Sequence, residues 1–185
     1  MRDKRFIAEH RGGLLKKAQQ RQLIMWACGC SKHVMPFFGE KVDDRLNNAL
    51  RVAKEWGKGN ASVGDARKAS LEAIAVANEC SDPVSIAVAR SVGHAVATAH
   101  MADHSLGAAL YVLKAVKSAG KSMEEEREWQ NEQLPREIRE LVLTSRREKE
   151  SALGIGKSDA KNAKRKGREN CARGAEKREV ITQCR

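Results

Sequence analysis

From Pro83 to Lys117 the chain is apolar for longer than anywhere else. The stretch is rich in Ala, Val and Leu, and Arg90, His94, His100, Asp103 and His104 interrupt it. On either side of it, apolar positions recur at helical spacing. Leu14 to about His33 reads as a first helix, cationic at Lys16, Lys17 and Arg21 and apolar from Leu23 to Cys28. Gly29 falls inside it, where glycine either allows close packing or weakens the helix, and Pro36 is expected to end it.

Asp43 or Asp44 can cap a second helix, in which Leu46, Ala49, Leu50, Ala53 and Trp56 share one face before Gly57 and Gly59 stop it. Ser62 with Asp65 makes an approximate capping box for a third, carrying Val63, Ala66, Ala69, Ala73, Ile74 and Ala77. Asp82-Pro83 starts a fourth. A single helix from Pro83 to Ala119 would be too long for a compact domain, so a break is expected near Met101–Asp103. Asp103 then caps a fifth helix ending at Lys117, closed by Gly120. Ser122 with Glu125 opens a sixth containing Trp129. Pro135 starts a seventh, Arg136–Arg147, with Ile138, Leu141 and Val142 facing inward.

Alternating β-branched runs are almost absent, so no sheet is expected. The predicted fold is all-α: a single compact bundle of about seven helices over residues 5–147, with Pro83–Lys117 as its central hairpin. Residues 148–185 lose the apolar pattern and read as a basic tail, mobile or marginally helical. Ala49–Lys54, Ala73–Asn78 and Ala109–Lys114 resemble one another, which raises a solenoid as an alternative, but their spacing is irregular.

Composition sharpens this picture. Of 185 residues only 4% are aromatic, so small aliphatic side chains must fill the core. The net charge of +11 favours acidic partners. The excess is shared: residues 148–185 hold eleven Lys/Arg against six Asp/Glu. The five cysteines form no secreted disulfide framework, and the N-terminus has no apolar signal core. The charges and histidines within residues 83–117 argue against a membrane span. A cytoplasmic protein is expected.

The candidate chemistry is limited. On one continuous helix His100 and His104 would lie about 40° apart and His94 about 80° from His104, with Asp103 pointing away. Cys28, Cys30 and His33 could add ligands for a metal, yet C-x-C-x2-H is not a structural zinc spacing and no H-E-x-x-H occurs. A thiol enzyme using Cys28 or Cys30 with a histidine base needs a lowered pKa and an access route. Gly154-Ile155-Gly156-Lys157-Ser158 lacks the earlier glycine of a phosphate loop, and Glu124-Glu125-Glu126 suits a helix first turn. In the tail, Lys161, Lys164, Arg165, Lys166 and Arg168 could contact nucleic-acid phosphates, but no aromatic residue stands among them to stack bases.

Four ordered blocks carry a resemblance. They are Arg5-Phe6-Ile7-Ala8-Glu9-His10-Arg11-Gly12-Gly13-Leu14-Leu15, Trp26-Ala27-Cys28-Gly29-Cys30, Ser62-Val63-Gly64-Asp65-Ala66-Arg67, and residues 93–109, which run from Gly93-His94 through His100-Met101-Ala102-Asp103-His104 to Gly107-Ala108-Ala109. Over about residues 5–147 the chain resembles the immunity-protein-5-like group of microbial polymorphic toxin systems. The resemblance implies an all-α domain that binds and neutralises a cognate toxin, with no cofactor and no catalytic residue. The basic charge disfavours a nuclease as that toxin; an acidic toxin, or a different role, fits it better. The candidate binding surface is His94, His100, Asp103 and His104, polar groups that packing alone does not explain.

Overall fold

Seven α-helices build the described part of the chain, and a computed structural model describes residues 3–152. They are α1 (Lys17–His33), α2 (Asp44–Lys58), α3 (Val63–Glu79), α4 (Pro83–Ala97), α5 (His104–Ser118), α6 (Met123–Glu132) and α7 (Arg136–Ala152). Among the described residues there is no β-strand. The chain divides after Ser145, so the helical body is residues 3–145, and the end of α7 belongs to a second unit. Lys161, Lys164, Arg165, Lys166 and Arg168 lie outside the described residues.

Local sequence sets most of the helix ends. The Asp43 carboxylate accepts from the backbone N–H of Arg45 at 2.8 Å and starts α2. Ser62 and Asp65 form the full reciprocal box at α3. Asp82 accepts from the N–H of Ser85 at 2.8 Å, with Pro83 at the first helical position of α4. Gly59 and Gly120 close α2 and α5 at φ of 94° and 71°, values that favour glycine.

The apolar stretch is the central hairpin. α4 packs against α1, α2, α3 and α5, and α5 also meets α1 and α6. Small side chains allow these approaches. A Cβ on Gly93 would stand 2.6 Å from Ile74 Cδ1 and 3.3 Å from the Ser70 carbonyl oxygen of α3. The Ser70 hydroxyl donates to the Gly93 carbonyl at 2.9 Å across the same contact. Ala66, Ala69, Ala73 and Ala77 line up along α3 behind them, all buried.

α1 runs antiparallel to α4. The Ser31 and Ser91 hydroxyls meet at 2.5 Å, and the Gln20 amide donates to the Thr98 and Ala99 carbonyls at 3.0 and 3.1 Å. Gln20 thereby satisfies carbonyls that the end of α4 leaves without helical partners. Ile138 and Val142 of α7 complete the core.

Several helix ends differ from the sequence-based expectation. α1 begins at Lys17, not Leu14, because Gly13, Leu15 and their neighbours fold back on residues 7–9. The Leu15 N–H donates to the Ile7 carbonyl at 3.0 Å and the Glu9 N–H to that of Leu15 at 2.9 Å, which leaves Leu14 exposed. Gly57 lies within α2 instead of ending it, and Val63 is exposed on the first turn of α3. α7 continues beyond Arg147 to Ala152. Asp103 occupies the cap position of α5 without capping it through its side chain. Backbone turns replace that cap, from His104 N–H to Met101 O at 3.0 Å and from Ser105 N–H to Ala102 O at 3.2 Å.

Candidate histidine cluster on the central hairpin

His94 lies in the last turn of α4, His100 sits in the connection, and His104 opens α5. The break that separates them in sequence folds them together. His94 Nδ1 lies 3.0 Å from His104 Nδ1, and the His100 and His104 ring centroids are 5.3 Å apart. A nitrogen-to-nitrogen hydrogen bond needs one donor and one acceptor, so the His94–His104 pair holds a single proton on that edge. Gly107 makes the pair possible: a Cβ there would stand 2.8 Å from His94 Nδ1.

Around the histidines the surface is cationic. Tyr111 lies 5.1 Å from His94, ring centroid to centroid. Arg90 and Lys114 approach the Tyr111 ring at 5.9 and 5.4 Å. Burial pushes the His100 pKa below its ordinary value, the positive charges of Arg67 and Arg11 push it further, and Asp103 opposes them. His100 Nδ1 is buried with no hydrogen-bond partner. The arrangement can accept anionic groups and exchange protons.

Sequence reasoning missed four members of this surface. Arg90 precedes His94 by one helical turn, and Tyr111 and Lys114 continue the His104–Gly107 face of α5, so helical spacing could have found them. Arg67 comes from α3, and no local signal joins it to the hairpin.

The other candidates stand elsewhere. Cys28, Cys30 and His33 lie toward the far end of α1, opposite an earlier part of α4. Burial raises the Cys28 thiol to about 12, which works against a thiolate, and Cys30 is fully buried. His33 Nδ1 lies 2.9 Å from the buried Glu126 carboxylate, and its ring stacks on Trp129 at 3.8 Å. Gln130 donates to Glu126 at 2.8 Å, and Trp26 donates to the Gln130 carbonyl at 2.9 Å. Among the described residues, no group of three or more His, Cys, Asp or Glu side chains is placed to hold a metal ion.

These features describe an Ala-rich helical domain whose central hairpin presents a polar, cationic face. The family model described as Imm-5 like putative immunity protein matches residues 13–137, and the chain belongs to that family. No curated protein and no solved structure matches the chain. No helix among the described residues is long and apolar enough to cross a membrane.

Proposed function

We propose that this protein neutralises a cognate toxin by stoichiometric binding in the cytoplasm, covering a toxin surface without turnover. The family supplies the role, since an immunity protein implies a toxin partner. The observation that carries the binding surface is the joining of His94, His100 and His104 beside Arg90 and Lys114 on the central hairpin. An Ala-rich core has no packing need for three imidazoles at its edge. A cationic face and a net charge of +11 favour an acidic toxin, because opposite potentials steer encounter and penalise wrong partners.

Affinity capture from the native cell, with and without nuclease, tests the role. One stoichiometric protein that survives nuclease supports it, and recovery that collapses with nuclease counts against it. The surface is tested by alanine at both His100 and Asp103. Loss of two central polar contacts is expected to weaken capture of that protein by about tenfold or more while the helical content stays unchanged. Undiminished binding by the folded variant would place the interface elsewhere.

A further inference from the structure

A second surface lies on the other side of α1. A groove of about 510 Å³ opens between α1 and the α6–α7 junction, with Arg21, Met25 and Gly29 on one wall and Trp129 and Pro135 on the other. Three observations bear on what it could receive.

The first is Gly29. It stands inside α1, where glycine weakens a helix, and a Cβ there would meet nothing within 4 Å. No neighbouring element needs the space. What the missing side chain leaves open is the groove.

The second is Arg21, the one charged residue among those lining the groove. It is half-buried, its Nε is enclosed without a partner, and it makes no hydrogen bond or ion pair among the described residues. Next to it, the Gln22 amide donates to Glu137 at 3.1 Å, and its Oε1 is buried and unpartnered, an acceptor that calls for an N–H of the occupant and not for its carboxylate. An enclosed Nε–H with no acceptor is costly, and a carboxylate reaching Arg21 would complete it.

The third is the opposite wall. Trp129 is held by its stack on His33, and the buried Glu126 carboxylate holds His33 in turn. The aromatic face is therefore fixed before anything binds.

We propose that this groove seats a segment of the partner protein in which a large apolar side chain is followed by a carboxylate. The apolar group fills the space over Gly29 against Trp129 and Met25, and the carboxylate pairs with Arg21. That the occupant is a protein segment rests on the toxin-binding reading; the chemistry of the groove does not. An apolar groove with one unpaired cation selects this ligand over a neutral or cationic one.

The test titrates the full chain with N-acetyl-Leu-Asp-amide and with N-acetyl-Leu-Asn-amide, followed by the Trp129 indole and Arg21 Nε–H resonances. Saturable shifts are expected at both groups with the aspartyl peptide, and about tenfold weaker binding with the asparaginyl one. Arg21→Gln should abolish the difference between the peptides. Gly29→Leu, which fills the groove from an unobstructed position, should abolish binding while the remaining resonances keep their positions. Absence of saturable shifts at Trp129 and Arg21, equal affinity for the two peptides, or full binding by the folded Gly29→Leu chain would each overturn the proposal. No toxin enters the titration, so failure of the toxin-binding reading and failure of the groove are seen separately.

Discussion

Gly29 and Gly107 both sit inside helices, yet their surroundings are opposite. At Gly29 a Cβ has open space; at Gly107 it would press on His94 Nδ1 at 2.8 Å. Gly29→Ala should therefore stabilise the fold by about 0.5–1 kcal/mol, the ordinary gain from removing glycine in a helix interior. Gly107→Ala should cost about 1–3 kcal/mol, because His94 must leave its place beside His104 and the chain gains strain where it gains helix propensity. Urea unfolding of the two variants against the parent checks both signs. If both substitutions stabilise, His94 yields freely and the paired imidazoles are not a fixed feature. Both glycines occur in the blocks that resemble the family, but their residue type alone did not say which serves packing and which serves an opening. That distinction depends on neighbours from other turns and other helices.

The helices themselves were largely legible, since Asp43, Ser62, Asp82 and Pro135 mark starts through chemistry that acts within three residues. The errors fall where long-range contacts take over. Leu14 fits the apolar rhythm of α1, but hydrogen bonds from Leu15 and Glu9 divert the backbone before Lys17. Asp103 looks like a cap, yet turn hydrogen bonds of the backbone hold the start of α5 in its place. Gln20 reads as a polar residue on a cationic turn and is in fact buried, serving the end of α4. Gln20→Leu tests that service. It nearly keeps the volume and removes the donor, so the Thr98 and Ala99 carbonyls lose their side-chain partner. The expected cost is about 1–3 kcal/mol, the penalty of an unsatisfied buried polar group. An unchanged unfolding midpoint would mean that water reaches those carbonyls and that α4 does not depend on α1 for its ending. The histidine cluster belongs to the same lesson. Spacing on one helix suggested it, but the break between α4 and α5 is what brings the three rings together.

For the body as a whole, stability should depend on pH in two stages. Asp43, Asp65, Asp82, Glu55 and Glu79 are all held below their ordinary pKa values by hydrogen bonds or cations. Depressed carboxylates add stability that is present above their ordinary range and is lost as pH falls through their folded values. His100 is a base with a depressed pKa, so its window lies higher. Between its folded value and the ordinary 6.5 the unfolded chain binds more protons, and stability therefore rises with pH across that interval. As the medium is acidified from about pH 7.5 to about pH 5, the parent should lose stability before the carboxylates begin to titrate. The groups facing His100 fix the sign: Arg67 and Arg11 oppose its charge, Asp103 favours it, and burial of the ring outweighs Asp103. His100→Asn should flatten part of that early loss. Urea unfolding across this range compares the two chains directly. Superimposable pH profiles would show that charging His100 is free of cost, and the polar face of the central hairpin would then be an open surface at every pH, with no enclosed imidazole at its centre.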